Sequence, residues 1–242
     1  MLSRSAAGPS IVDREVTKFG DVAAEWWDPR GSFKPLHALN PVRVAFIRDA
    51  LCEGFGREAA RVAPLAGLSI LDVGCGGGIL AEALARLGAN VTGADASADS
   101  IAVARAHAAG DPSLHVTYRD ATAEQLVAEG AQYDAVVASE VIEHVADAAA
   151  FMRALGALAW PGGMVAVSTL ARTPRSYALA IIGAEYIISL VPRGTHDWSR
   201  FINPEELTML GNEAGLALDR MAGMSYNPLT GRWRRSDDTG TD

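Results

Sequence analysis

The feature that most constrains this chain is a run of glycines directly after a short apolar segment. The apolar segment is Ser69–Val73, and the run that follows reads Gly74-Cys-Gly-Gly-Gly78. Glycine lets the backbone come close to a ligand, and the N-terminus of a helix presents free N–H groups to it. We therefore predict a strand, a ligand-binding loop and then a helix.

An acidic residue completes this pattern. Asp95 ends the next apolar segment, about 20 residues after the first glycine, where a carboxylate typically accepts hydrogen bonds from ribose hydroxyls. The glycine loop and Asp95 together predict a nucleoside-containing cofactor; the alternative is a tight turn with an aspartate that caps a helix. The glycine spacing leaves S-adenosylmethionine and a dinucleotide in competition. Asp72 favours the former, because a carboxylate there would repel a pyrophosphate and suit an ammonium group.

Short apolar segments alternate with helical segments through the centre of the chain. Strands are predicted at residues 69–73, 90–94, 115–118, 133–138 and 164–168. This alternation is typical of an α/β fold in which helices cover both faces of a doubly wound, mostly parallel sheet. Residues 216–221 are predicted as a sixth strand, and we expect the last strand of the sheet to be truncated.

One domain is expected over residues 1–242. It divides into an N-terminal helical cap (1–66), a cofactor-binding core (67–172), an apolar insertion (173–195) and a C-terminal part of the core (196–242). Within the cap we predict a helix over residues 12–24 and a loop over residues 26–31. A second helix is expected to open at Pro41 and run to Cys52, since proline is well tolerated in a first helical turn.

Charge and cysteine content limit the partners and the cellular compartment that we expect for this chain. The chain holds 21 Lys and Arg against 29 Asp and Glu, a net charge of −8. It lacks the basic field of a nucleic-acid-binding protein, so we expect no nucleic-acid partner. Its two cysteines are Cys52 and Cys75. Because Cys75 lies in the glycine loop, a reducing compartment is favoured over a disulfide.

The residues around the loop resemble a known family. Leu71-Asp-Val-Gly-Cys-Gly-Gly-Gly78 resembles the first motif of class I S-adenosylmethionine-dependent methyltransferases. From residue 18 to residue 238 the chain more specifically resembles the ubiquinone-biosynthesis O-methyltransferases, which methylate polyprenylated catechols and demethylubiquinol. The further motifs that carry this resemblance are WWDPRGSFKPLHALNPVR (26–43), SEVIEHV (139–145), STLARTPRS (168–176), GAEYI (183–187), GTHDWSRFINPEEL (194–207) and YNPLTGRW (226–233).

The resemblance implies which residues contact the cofactor, S-adenosylmethionine. The matching positions are Arg43, Gly74, Asp95 and Ser139, and Gly76 of the glycine loop is a further cofactor-binding candidate. Arg43 would clamp the methionine carboxylate, a task that suits a guanidinium; a surface charge on a helix is the alternative. Adenine contacts in such folds usually follow the third strand, which points to Asp120.

Two acids and a histidine follow the fourth predicted strand. In a helix, Glu140, Glu143 and His144 would share one face. Carboxylate oxygens suit Mg²⁺, whereas an imidazole also fits Zn²⁺, Mn²⁺ or Fe²⁺. The resemblance implies a Mg²⁺-dependent enzyme with these three residues as ligands and with Glu143 and His144 as catalytic residues. A chelated cation would lower the pKa of a catechol hydroxyl and orient its oxygen. The alternatives are a histidine base without a metal, and packing alone.

Residues 173–195 break the alternating pattern. They are markedly apolar, with Arg175 and Arg193 near the two ends. We expect them to dock on a membrane surface and admit the isoprenoid tail of the substrate; a lid helix that packs on the core is the alternative.

The resemblance also implies partners and a location. The implied partners are proteins of a ubiquinone-biosynthesis complex. The implied location is the matrix face of the mitochondrial inner membrane or, alternatively, the cytoplasmic face of a bacterial inner membrane. The alternative functions are methylation of a soluble phenolic acceptor and a role as an inactive cofactor-binding subunit.

Overall fold

The computed structural model describes residues 17, 23–28, 30–31, 33–173, 198–227, 230 and 232–239. Five strands form its central sheet: β1 (Ser69–Val73), β2 (Asn90–Asp95), β3 (Val116–Asp120), β4 (Tyr133–Ser139) and β5 (Ala159–Ser168). All neighbouring pairs are parallel, in the order β3-β2-β1-β4-β5. The predicted α/β fold with a parallel sheet is confirmed, and the strand expected at residues 164–168 begins earlier, at Ala159.

Helices cover both faces of this sheet. The described residues contain α1 (Lys34–Gly54), α2 (Ile79–Arg86), α3 (Ala98–Ala108), α4 (Ala123–Ala128), α5 (Ala148–Leu158) and α6 (Pro204–Glu213). Short 3₁₀ turns lie at Ala23–Glu25, Ile142–His144 and Trp198–Arg200. Helices α1 to α3 pack on one face, and α4 to α6 pack on the other.

The strands are buried on both sides, which explains their continuous apolar character. Successive side chains of a strand point to opposite faces. Val137 accordingly joins the apolar cluster around Leu84 of α2, whereas Val136 joins the cluster around Leu155 of α5. Burial of one such leucine contributes about 1.5–3 kcal/mol, so two helical layers hold the sheet in place.

The chain runs outward from β1 through β2 to β3 and then returns to the other side of β1, where β4 lies. The strand order therefore reverses between β1 and β4. Ligands of open α/β sheets bind in the crevice at the carboxyl ends of strands where the order reverses. Register places Asp95 opposite Asp120, and Ser139 opposite Ser168, at this edge. The fold therefore collects the predicted cofactor-binding residues of the core at one edge of the sheet.

The predicted start of the helix near Pro41 is wrong. Helix α1 begins at Lys34, and Pro35 occupies its first turn, where the missing N–H is not needed. Pro41 lies inside the helix, where it removes one backbone hydrogen bond. The helix thus begins at the earlier of the two prolines, and the loop predicted before it agrees with the turns seen at residues 26–28 and 30–31.

The predicted sixth strand is also wrong. Residues 216–222 have no regular structure, because Leu216 folds back on the core while Leu218 is 56% exposed. The chain instead forms a separate antiparallel hairpin, β6 (Gly223–Asn227) and β7 (Arg232–Ser236), outside the main sheet. Tyr226 and Trp233 face each other across this hairpin, a type of cross-strand pair that stabilises two-stranded ribbons.

Two predictions fall mainly outside the described residues. These are the N-terminal helix over residues 12–24, of which only residues 17, 23 and 24 are described, and the apolar insertion, described only at Thr173. Within the described part of the chain, no helix combines the length and the apolar character needed to cross a membrane. The division of the chain at residues 66, 172 and 195 stays a prediction.

Candidate active site

The glycine loop follows β1 and is fastened to the end of β2. The N–H groups of Gly74 and Cys75 donate to the carbonyl oxygen of Ala94, at 2.7 and 3.1 Å. Gly74 has φ of 68° and Gly76 has φ of 52°, a left-handed conformation that glycine adopts at no steric cost. The loop then leads into α2, as the sequence predicts.

Asp95 links the loop to the second strand. Its Oδ2 accepts the N–H of Gly76 at 2.9 Å, and its Oδ1 accepts the N–H of Ser97 at 2.8 Å. Burial raises the pKa of Asp95, while the Ser97 and Gly76 N–H groups oppose that rise and the charge of Asp120 adds to it. The two acids predicted to contact ribose and adenine thus lie side by side, and the half-buried Asp95 carboxylate keeps lone pairs for a ligand.

Arg43 and Asp72 are two buried ionisable side chains whose charges influence each other. Arg43 is only 4% exposed and Asp72 only 1%, so the alternative of a surface charge for Arg43 is wrong. Burial raises the pKa of Asp72 to about 7, the charge of Arg43 opposes this rise, and the N–H of Ala81 donates to the carboxylate. The Oδ2 atom of Asp72 has no hydrogen-bond partner among the described residues, so the site retains a buried acceptor.

A polar network joins the ends of β4 and β5. The hydroxyl oxygens of Ser139 and Ser168 lie 2.7 Å apart, and Ser168 Oγ donates to Glu140 Oε1 at 2.6 Å. Thr169 Oγ1 donates to Glu143 Oε2 at 3.1 Å. Glu140 is in the left-handed conformation with φ of 56°, an unusual backbone for a residue other than glycine and one that often marks functional sites.

Glu140 and Glu143 form a hydrogen-bonded carboxyl pair. Glu143 is buried, and its burial, followed by the adjacent charge of Glu140, raises its pKa well above the usual range of a glutamate. Two carboxyl groups in contact do not both ionise readily. The protonated form of Glu143 is therefore favoured beside the carboxyl group of Glu140.

The expected Mg²⁺ site is not assembled by the described residues. Glu140 precedes a 3₁₀ turn, Ile142–His144, instead of an α-helix, so the three predicted ligands do not line one helical face. In the described part of the chain, no group of three His, Cys, Asp or Glu side chains is arranged to hold a metal ion. In this arrangement Ser168 donates to one oxygen of Glu140, and Thr169 donates to one oxygen of Glu143.

A cavity of about 350 Å³ opens beside Glu143. Its apolar lining includes Ile142, Phe201 and Met209, and Arg200 borders it while donating to the carbonyl oxygen of Val145 at 3.1 Å. The cavity combines a mostly apolar wall with one buried carboxyl group, a combination typical of sites for small aromatic ligands.

The sequence prediction missed Ser168, Thr169, Trp26 and Trp27 as site residues. Ser168 ends β5 and Thr169 follows it, next to the strand that bears Ser139. Hydroxyl residues at the carboxyl end of a parallel strand were therefore a usable indication of the site. Trp26 and Trp27 precede the loop by about 50 residues in sequence, and only the tertiary structure brings them to it.

Comparisons with known proteins agree with this geometry. A family profile described as a methyltransferase domain matches residues 44–220. Among solved structures, magnesium protoporphyrin IX methyltransferase from Synechocystis PCC 6803, with bound SAH, has a similar fold, with a TM-score of 0.61 at 22% identity over 87% of this chain and 89% of that one.

Relatives similar in sequence span nearly the whole chain. The ubiquinone biosynthesis O-methyltransferase of Methylobacterium sp. (strain 4-46) is 52% identical over 96% of this chain and 93% of its own length. That of Caulobacter vibrioides is 51% identical over 99% and 96%, and the mitochondrial enzyme of Arabidopsis thaliana is 48% identical over 98% and 74%. Because it matches the methyltransferase profile and is about half identical to these relatives over nearly its whole length, the chain belongs to the ubiquinone biosynthesis O-methyltransferase family.

Proposed function

We propose that this protein transfers a methyl group from S-adenosylmethionine to a hydroxyl of a polyprenylated catechol and of demethylubiquinol. The observation that carries the proposal is the carboxyl pair Glu140–Glu143, in which Glu140 accepts a hydrogen bond from Ser168 at the cofactor edge of the sheet and Glu143 lines the apolar cavity. An acceptor bound in that cavity would present its hydroxyl to the pair. Family membership supports the choice of reaction.

The residues of the cofactor edge fit S-adenosylmethionine. Asp95 would accept from the ribose hydroxyls, and Asp120 lies where the adenine would follow. Arg43 would attract the methionine carboxylate, and the unsatisfied Oδ2 of Asp72 suits an ammonium group. Gly74 and Ser139 flank the same crevice at the ends of β1 and β4. When bound, S-adenosylmethionine supplies an electrophilic methyl group.

The chain's own residues prepare the acceptor oxygen. The carboxylate of the Glu140–Glu143 pair takes the hydroxyl proton, and Ser168 and Thr169 hold the pair in place. With S-adenosylmethionine bound, the oxygen would take the methyl group, and the electron pair of the broken C–S bond would remain on sulfur. Orientation in the cavity contributes a large part of the rate in such an in-line displacement. His144, next in sequence to Glu143, is the second candidate base.

The proposed step relies on the carboxyl pair, because no group of three His, Cys, Asp or Glu side chains among the described residues is arranged to hold a cation. The decisive assay uses labelled S-adenosylmethionine and a short-tailed catechol, with and without EDTA. Methyl transfer to the catechol that persists in EDTA is the expected result. Loss of transfer on chelation would restore the Mg²⁺ ligand set, and cofactor binding without turnover on any catechol would contradict the enzymatic proposal.

Replacing Glu143 tests whether the carboxyl pair acts in proton transfer and not in cofactor binding. Glu143→Gln keeps a hydrogen-bonding group for Thr169 but removes the shared proton, so we expect kcat to fall about 100-fold or more. The Kd of S-adenosylhomocysteine should stay within about twofold. Glu53→Gln, at an exposed position of α1, is the matched control and should retain full activity. A Glu143→Gln enzyme with normal kcat would exclude a role for the pair in proton transfer.

We also propose that the protein works at a membrane surface and meets other ubiquinone-biosynthesis proteins there. The support is the apolar composition of residues 173–195 and the bilayer location of a polyprenylated substrate. Bacterial and mitochondrial relatives are consistent with a bacterial inner membrane or a mitochondrial one. Flotation with liposomes should weaken when Ile181, Ile187 and Ile188 become Ser. A Leu218→Ser control should float normally, and equal flotation of all variants would refute docking through this segment.

A further inference from the structure

We infer that Trp26 and Trp27 form a strap that holds the glycine loop in its cofactor-binding shape, as positioning residues for the bound nucleoside. The strap comprises residues 23–28, which lie far from the loop in sequence. The inference rests on the proposed function, since it concerns the same cofactor site. It adds two residues that touch neither the predicted ribose acid nor the carboxyl pair.

Trp26 packs directly against the backbone of the loop. A Cβ atom on Gly76 or Gly77 would overlap its side chain, so these glycines are required by the tryptophan as well as by any ligand. Trp26 is only 7% exposed. Its Nε1 donates to Ser100 Oγ at 3.3 Å, in the first turn of α3. One indole therefore bridges the loop after β1 and the helix after β2.

Trp27 makes the second connection to the loop. Its Nε1 donates to the carbonyl oxygen of Gly77 at 2.9 Å. The indole also lies flat on the imidazole of His107, with ring centroids 3.4 Å apart and an angle of 1° between the planes. The hydrogen bond fixes the carbonyl of the residue just before the helix N-cap, Gly78.

The base of the strap is itself anchored in the interior. His107 Nδ1 lies 2.7 Å from Oε1 of Glu82, a fully buried residue of α2, whose other oxygen accepts from Arg86 at 2.9 Å. His37 Nε2 lies 2.8 Å from the carbonyl oxygen of Trp26. His37 of α1 and His107 of α3 thus contact the two tryptophans, and Glu82 of α2 holds His107 in place.

This arrangement has a consequence for cofactor affinity. Gly76 donates its N–H to Asp95, the predicted ribose acid, and Trp26 and Trp27 contact the same turn. Without the strap the loop would sample other glycine conformations, and the cofactor would have to order it on binding. The strap should therefore affect binding of the cofactor more than the methyl-transfer step.

The test compares Trp27→Phe with wild type by calorimetric titration of S-adenosylhomocysteine. Phenylalanine keeps a ring on His107 but cannot donate to Gly77. We expect the Kd to rise about three- to tenfold, the effect of one lost hydrogen bond. The KM for S-adenosylmethionine should rise in parallel, while kcat falls by less than about twofold. Trp160→Phe, at a half-exposed position near the start of β5, is the matched control with unchanged Kd.

Ser100→Ala provides a second, milder variant in case Trp27→Phe fails to fold. It removes the acceptor of the Trp26 indole and should raise the Kd about two- to threefold, within the range for a single neutral hydrogen bond. A wild-type Kd in both variants, even with a lowered melting temperature, would overturn the strap and leave a packing role only. A wild-type protein that binds no S-adenosylhomocysteine would instead defeat the proposed function itself.

Discussion

Asp72 lies beneath the glycine loop in a place that disfavours its charged form. Burial raises its pKa to about 7, although the charge of Arg43 and the Ala81 N–H oppose the rise. In an unfolded chain the pKa of an aspartate is about 3.9. The folded protein therefore holds this proton more tightly. The corresponding stability is fully present below about pH 4 and is lost as the pH rises to about 7.

Asp72→Asn should remove this pH dependence. Wild type is expected to lose about 3 kcal/mol of unfolding free energy between pH 4.5 and pH 7.5 through this group, most of the effect of a shift of about three pKa units. The variant should lose correspondingly less, so the two curves should converge or cross as pH rises. Urea denaturation at four pH values measures the difference. Parallel curves for the two proteins would show that Asp72 titrates normally.

At the scale of the element, α1 contains an interior proline that the fold tolerates. Pro41 is exposed and lies more than one turn inside the helix, whereas Pro35 sits in the first turn. An interior proline removes one backbone hydrogen bond and crowds the preceding turn. The helix nevertheless forms because Ile47, Ala50 and Leu51 are buried against the sheet. Packing thus outweighs local propensity here.

Pro41→Ala should therefore stabilise the protein. A new N–H at residue 41 would donate to the carbonyl oxygen of His37, and we expect a gain of about 1–2 kcal/mol after allowance for the greater freedom of the unfolded chain. Pro35→Ala is the matched control, with a change below about 1 kcal/mol because no N–H is needed in the first turn. Urea denaturation distinguishes the two variants. A loss of stability in Pro41→Ala would mean that the proline ring itself makes stabilising contacts.

At the scale of the molecule, the site is built from segments distant in sequence. The strap, the loop after β1, the acids after β2 and β3, and the carboxyl pair after β4 meet only when the sheet has formed. A ligand that needs all of them binds the folded chain and not the unfolded one. Binding must then raise the apparent stability by mass action.

S-adenosylhomocysteine at about 100 times its Kd should raise the free energy of unfolding by about 2.7 kcal/mol. For a chain of this size that corresponds to an increase in Tm of about 5–10 °C. Differential scanning fluorimetry measures it, with NAD as the control for a dinucleotide. A shift with NAD and none with S-adenosylhomocysteine would return the cofactor assignment to the dinucleotide class.

The sequence by itself determined the parts of this protein that depend on short stretches of chain. The strand, glycine loop and helix at residues 69–86 follow from local composition, and the position of Asp95 follows from the length of one strand–helix–strand unit. The alternation of apolar segments was sufficient for the parallel sheet, because strands buried on both faces and helices of regular length leave few other arrangements.

Only the tertiary structure decided the features that depend on burial and on contacts between distant segments. Glu143 becomes a proton-holding acid because neighbouring elements bury it and because Glu140 lies beside it, although the hydroxyl of Thr169 opposes this rise in pKa. The 3₁₀ turn at Ile142–His144 separates a ligand set that a regular helix would align. The strap reaches Gly77 across about 50 residues. Burial, backbone geometry and long-range contacts are properties of the folded chain, and residue spacing alone does not specify them.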